Sequence, residues 1–248
     1  MSFNVKKCAI LSITRKRSPL IHTYTLREEC LNRVKNIDYL GVTVSDDLNW
    51  NDHCSKVSAK ASRTLGLLRR TLSPCSKRVK SRAYQTLVRP QLEYASEVWC
   101  PNTATQVKRI EQVQRSAARF VMSDYRRETH VSQMVQQLNW DLLHTRRLVQ
   151  ISCMMYKIQY GLVNITTPPC FIRASHISPR LDHPLKYVNT HIPTINVYKY
   201  SYFPRAVSIW NRLPPAAVLH INPSPSSFHS AAAPAIREMK PLHGAHII

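Results

Sequence analysis

The chain is short of acid. Its 248 residues carry 14 Asp plus Glu against 35 Lys plus Arg, a formal net charge of +21. An excess that large repels itself and calls for a partner of opposite sign, nucleic acid first and an anionic membrane surface second. Apolar runs are short too: none approaches the ~18 residues of a transmembrane helix, which argues against a membrane-spanning chain. The seven cysteines (8, 30, 54, 75, 100, 153 and 170) are odd in number and form no C-x-x-C pair. With no signal peptide in view, they read as reduced thiols of an intracellular protein, nuclear or cytoplasmic, rather than a secreted one. Residues 1–27 contain no Asp or Glu, as in a mitochondrial transit peptide. But Val5, Cys8, Ile10 and Ile13 form an apolar run that stops at Arg17-Ser18-Pro19, which reads better as a strand and its turn. No internal repeat is seen.

What is present is a β-like start and a long helical middle. A hydrophobic fraction of 44% can support a core. Residues 5–14, 20–27 and 36–44 are β-like, and Asp46, Asp47, Asn49 and Asn51 then supply turn and N-cap chemistry. Helical periodicity follows over about 52–72, 76–89, 104–122, a short 131–138 and 140–160, with Gly161 as a C-cap. Within 76–89, Val79, Ala83 and Leu87 are expected to face inward. Beyond 162 proline accumulates, and one compact apolar cluster returns at 198–214. Residues 216–248, rich in Pro, Ser and Ala, read as a disordered tail. The expected fold is therefore mainly α with a small N-terminal antiparallel β-sheet (α+β). The expected parts are 1–50, 51–161, a loop-rich 162–215 and the tail 216–248.

Ordinary surface helices mix charges of both signs. Here residues 53–92 hold ten Lys or Arg and no acidic residue. Lys56, Lys60, Arg63 and Arg70 share one helix face. Arg78, Arg82 and Arg89 line a second, and Lys108, Arg115 and Arg119 a third. A charged face is commonly just solvated, but three in succession suit a phosphate backbone, where Lys and Arg displace condensed counterions. Nothing in the spacing implies base-specific readout. Arg147 stands apart: it falls on the apolar face of Leu143, Ile151, Met154 and Ile158. A buried guanidinium needs a carboxylate, with Glu93, Glu97 and Glu111 as candidates, or else marks an edge that meets a partner.

A series of short blocks carries a resemblance. Asn4-Val5-Lys6-Lys7-Cys8 precedes an apolar strand. Tyr24-x-Leu26 follows, then Tyr39-Leu40-Gly41-Val42 with Asp46-x-Leu48-x-Trp50-x-x-His53. Next come Leu65-Gly66-x-Leu68-x-Arg70 and Leu87-Val88-Arg89-Pro90-x-Leu92-Glu93-Tyr94-Ala95-Ser96-x-Val98-Trp99. Ile110-Glu111-x-Val113-Gln114-Arg115, Ala118-Arg119-Phe120 and Leu138-x-Trp140-x-x-Leu143-x-x-Arg146-Arg147 continue it. Tyr202-Phe203-Pro204-Arg205 with Trp210-Asn211-x-Leu213-Pro214 closes it. Each block is weak alone. Their order over residues 4–214 resembles the C-terminal part of a non-LTR, LINE-type (jockey-like) retrotransposon reverse transcriptase: palm edge, thumb and downstream extension.

That resemblance implies a palm-edge fragment with a primer-grip-like hairpin over 1–50 and a thumb-like helical bundle over 51–161. The family's RNA-directed DNA polymerase chemistry uses Mg ions held by clustered aspartates. No Tyr- or Phe-x-Asp-Asp box occurs here. Asp46-Asp47 reads as turn chemistry, so no metal site, no cofactor and no enzyme activity of its own are expected. Lys7 matches a lysine proposed as proton donor to pyrophosphate, idle without aspartates. Leu40, Gly41 and Val42 match the hairpin that seats the primer end, and the basic helices match the thumb. The implied function is backbone binding to RNA, DNA or an RNA–DNA hybrid without polymerisation. The alternatives are a fragment of an active polymerase whose start is misplaced, and a retroelement relic with no function. A palm-edge sheet lacking its neighbouring strands would also offer a bare edge for self-association.

Overall fold

A computed structural model describes residues 4–14, 16–168, 171–178, 183–188, 195–219 and 224–239. The chain divides into two compact units, Met1–Val57 and Ser58–Ile248.

The first unit is built of short strands. A 3₁₀ turn, Val5–Lys7, is capped by the Asn4 side chain, which accepts from the Lys6 amide. It leads into β1 (Ala9–Leu11). β2 (Thr25–Leu26) and β3 (Glu29–Cys30) make a tight hairpin whose turn residues, Arg27 and Glu28, both take positive φ. β4 (Asn32–Val34) then pairs with β1 in parallel, Ala9 opposite Asn32 and Leu11 opposite Val34. β5 (Asn36–Tyr39) and β6 (Val42–Ser45) are antiparallel. The single antiparallel sheet expected over 5–44 is thus three two-stranded ladders, one of them parallel. Residues 12–31 are long enough to cross over, and they enclose a hairpin of their own. The run 36–44 is likewise not one strand. Leu40 (φ 47°) and Gly41 (φ 82°) fold it back in a two-residue turn that needs left-handed backbone.

Helix α1 (Asn51–Thr71) contributes its start to the first unit and its remainder to the second. Its start is fixed by a polar relay. Asp47 Oδ1 accepts from the Asn49 amide at 2.8 Å and from Ser45 Oγ at 2.6 Å, and Asn49 Oδ1 accepts from the Asn51 amide at 3.0 Å. The buried His53 ring accepts the Thr43 amide proton through Nδ1 at 3.1 Å, tying β6 to the helix.

The second unit is helical: α2 (Lys77–Ala83), a π-helical turn (Tyr84–Val88), α3 (Arg89–Glu93), α4 (Ser96–Trp99), α5 (Ala104–Met122), α6 (Val131–Gln137) and α7 (Leu143–Gln159). α5 shows why its sequence reads cleanly. Thr103 accepts from the Gln106 amide as N-cap, Val107, Ile110, Ala117 and Val121 bury one face, and Ser123 ends the helix in a left-handed conformation. Gly161, at φ 66°, turns the chain out of α7 as expected. The inward face of α2 differs from expectation. Val79 and Leu87 are about half exposed, while Lys80, Tyr84, Val88 and Leu92 are buried. Tyr84 takes the interior place because its hydroxyl donates to Gln114 Oε1 at 2.9 Å and its ring stacks on Trp140. The π turn at 84–88 then shifts the phase that a 3.6-residue count assumes.

Downstream, α8 (Asn196–Lys199), α9 (Tyr202–Trp210), α10 (Pro215–Val218) and α11 (Pro225–Glu238) complete the unit. The disordered tail expected over 216–248 fails for 216–218 and 225–238; residues 220–223 and 240–248 lie outside the described residues. Ser224 caps α11, Pro225 sits in its first turn where its missing N–H costs nothing, and Phe228, Ala232, Ala233 and Ile236 form a buried face. That face joins Ile151, Met155 and Tyr156 of α7 and Val207, Ile209 and Trp210 of α9 in one core, with Tyr156 stacked on Phe228. Each fully buried large side chain there contributes about 1.5–3 kcal/mol. Arg205 of α9 donates to the Cys100 carbonyl at 2.6 Å, pinning the 198–214 cluster to the end of α4. Among the described residues no helix is long and apolar enough to cross a membrane, and the six described cysteines are free.

Candidate nucleic-acid interface

Four segments of the helical unit converge at one end. α1 closes on Arg69, Arg70 and Thr71. A turn over Leu72–Ser76 follows, and Ser76 accepts from the Val79 amide to start α2. This places Lys77 and Arg78 directly after the α1 arginines. Lys80 then points inward: its ammonium donates to Ser123 Oγ at 2.8 Å and lies 5.5 Å from the Phe120 ring centre. A cation at the end of α5 offsets the exposed carbonyls of its last turn.

The loop after α5 is clasped by Asp124. Its carboxylate accepts from the Arg126 amide, from Arg126 Nε and Nη2 at 3.1 and 3.0 Å, and from the Thr129 hydroxyl at 2.9 Å. These donors, led by the Arg126 side chain, hold the carboxyl far below its usual range. Arg119 Nη1 donates to the Arg126 carbonyl at 2.8 Å. The Arg69 guanidinium lies 5.0 Å from the Tyr125 ring centre, with Nε 3.4 Å from its hydroxyl. Arg69, Arg70, Lys77, Arg78, Arg82, Arg126 and Arg127 are all exposed, with Glu128 the one exposed acid in the 123–130 loop.

Of the residues singled out from the sequence, Arg70, Arg78 and Arg82 sit on the two helices that meet at this end, and Arg119 reaches its loop. Lys60 and Arg63 are exposed on earlier turns of α1, and Arg115 is half-buried one turn before Arg119. Lys108 lies eleven residues before Arg119, about 16 Å along α5. Lys56, in the first unit, is paired with Asp38. Arg89 is not a free surface cation. It is half-buried, 3.8 Å from Glu93, and burial lowers its pKa. Glu93 also takes Arg146, through Nε and through Nη2 at 3.2 Å. Sequence reasoning missed Arg69, Lys80, Tyr125 and Arg126. The Arg69-Arg70 doublet was a signal; nothing local marked Tyr125.

Arg147 is fully buried, and its nearest carboxylate is Glu111, at 3.9 Å from Nη2. Glu111 also accepts from the amides of Leu143 and His144, at 3.3 and 2.7 Å, so it caps α7 from α5. Burial pushes the Glu111 carboxyl up, with Arg147 and the two amides opposing. No hydrogen bond reaches the three guanidinium nitrogens of Arg147 among the described residues.

The polymerase-like residues occupy the first unit. Lys7 is exposed in a 3₁₀ turn rather than a strand. Leu40 and Gly41 form the exposed tip of the β5–β6 turn, and Val42 is buried behind it. Asp47 Oδ1 takes the Ser45 hydroxyl and the Asn49 amide, the turn chemistry read from the sequence. Among the described residues no three His, Cys, Asp or Glu group as they would to hold a metal ion. A cleft of about 280 Å³ on α7 is lined by Glu97, Asp141, Arg146, Cys153, Lys157 and His229 among others. Asp141 there is paired with Arg237 and Arg146 with Glu93, and burial pushes the Cys153 thiol up to about 11, far from a reactive thiolate. Compared with protein-family models, curated proteins and solved structures, the chain matches none.

Proposed function

We propose that this chain binds nucleic-acid backbone without polymerising it, as a thumb-like remnant of a LINE-type reverse transcriptase. The observation that carries the reading is the convergence of α1, α2, the end of α5 and the 123–130 loop into one exposed basic end. Of the two acids in that loop, Asp124 is paired with Arg126, leaving Glu128 as the exposed one. Ion pairs elsewhere in the helical unit remove Arg89, Arg146 and Arg237 from competition: the first two share Glu93, and Arg237 pairs with Asp141. The motif order supports the family reading, and RNA, DNA or a hybrid duplex all present the phosphates required.

A titration against labelled duplex at several salt concentrations tests it. With ~5 phosphates neutralised, log K falls against log[salt] at a slope of roughly −3.5 to −4.5, whatever the sequence. Replacing Arg70, Arg78 and Arg82 by Gln flattens the slope by up to about 3, whereas Arg89→Gln leaves it alone. An unchanged slope in the triple variant would remove the interface. Primer extension with Mg²⁺ or Mn²⁺ reads at background. Incorporation that survives purification and is lost on replacing Asp46 and Asp47 would overturn the non-polymerising reading.

A further inference from the structure

Tyr125 is out of keeping with its surroundings. It is a large aromatic, 52% exposed, set among arginines at the basic end. About half of it stays in solvent, yet the position is strongly fixed. The Asp124 clasp holds the backbone on both sides of it, through the Arg126 amide and side chain and the Thr129 hydroxyl. Arg69, from 56 residues upstream, reaches both its ring and its hydroxyl. A second tie, from Arg119 to the Arg126 carbonyl, anchors the same loop to α5.

We infer that Tyr125 with Arg69 is a stacking station for one unpaired base, where a single strand leaves the duplex held by the basic end. This rests on the backbone-binding reading above and adds a ligand class to it. Every base has a π face, and an aromatic ring or a planar guanidinium takes it without regard to sequence. A base inside a duplex has both faces covered by its neighbours, so only an unpaired or terminal base can use such a ring. The neighbouring arginines suit the phosphates on either side of that base. Because the loop is already clasped, little ordering remains for binding to impose.

The test compares three labelled oligonucleotides of one duplex sequence: blunt-ended, with a three-nucleotide single-stranded overhang, and with the same overhang made abasic. Fluorescence anisotropy at fixed salt gives the affinities. The base-bearing overhang binds about five-fold or more tighter than the abasic one. Tyr125→Leu, which keeps an apolar side chain in the loop, brings that ratio to near one, whatever it does to the affinity shared by all three oligonucleotides. Tyr125→Phe retains the ratio and shows that the ring, rather than the hydroxyl, is responsible. Equal binding of base-bearing and abasic overhangs by the unaltered chain would overturn the stacking station and leave backbone binding standing. So would a ratio that survives Tyr125→Leu. Failure to bind any of the three would overturn both.

Discussion

The two units of this chain hold themselves together by different means. Among the described residues of 1–57, only Val42, Thr43, Ser45, His53 and Cys54 are buried, and three of these five are polar. Its strands are two to four residues long, and its order comes from turns, a capping relay and a histidine accepting a backbone amide. The unit 58–248 buries three of the chain's four tryptophans and stacks Tyr84 on Trp140 and Tyr156 on Phe228. The difference teaches where the sequence can tolerate change. A hydrogen-bonded unit loses little when one apolar group shrinks, whereas a packed core loses both transfer energy and a cavity.

The largest effects should come from the packed unit. Trp210→Ala costs about 3–5 kcal/mol of unfolding free energy, and Glu111→Ala a similar amount, since it strands Arg147 and uncaps α7. Val42→Ala in the first unit costs only about 1–2 kcal/mol, from ~2 methyl equivalents. Chemical denaturation measures all three, and equal losses would erase the contrast. Removing both charges sharpens it from the other side: Arg147→Met combined with Glu111→Gln, which keeps an acceptor for the α7 amides, costs well under Glu111→Ala alone.

Acid should act on both units through one histidine each. Burial holds His53 and His144 neutral, with pKa values lowered to about 4. The unfolded chain binds a proton at each near 6.5 and the folded chain does not, so stability is full above 6.5 and falls as pH drops towards 4. For His53 the loss is about 1–2 kcal/mol after allowance for local relaxation. Asp38, Asp47 and Asp141, whose carboxyls are held below their ordinary range by hydrogen-bond donors, add losses only below about pH 3.8. Amide exchange followed from pH 7 to 4.5 reads the histidine window separately for 42–57 and 143–159. His53→Gln should flatten the response in the first segment alone.

The smallest effect is expected at Lys56→Gln. Its pair with Asp38 is more than half exposed, so the change costs 0–1 kcal/mol at about physiological salt. A larger loss would mean that the first unit relies on surface charge as well as on its turns.

Much of the helical unit was legible because its signals are local. The apolar 3.6-residue period placed α5 at about 104–122, and Gly161 marked the end of α7. The face of α2 was not legible. Choosing Tyr84 and Lys80 for the interior depends on Gln114 and Ser123, residues 30 and 43 positions away. α11 was hidden by composition, since its Ser, Ala and Pro look like low complexity until Phe228 and Ile236 find α7 and α9. Arg147 could be recognised as anomalous, but the choice among three glutamates required the fold. At the basic end, charge was readable, while the pairing of Arg69 with Tyr125 was written only in tertiary structure.

The cap on α7 has a consequence for how the chain comes to be folded. Leu142 precedes that helix and offers no side chain to its first amides; Glu111 supplies both oxygens from 32 residues upstream. The instruction to begin α7 is therefore held by another helix. A peptide of residues 143–159 alone would lack a nucleating cap and would be weakly helical in water. The start of α7 is thus specified by a residue of α5 rather than by its own flanking sequence.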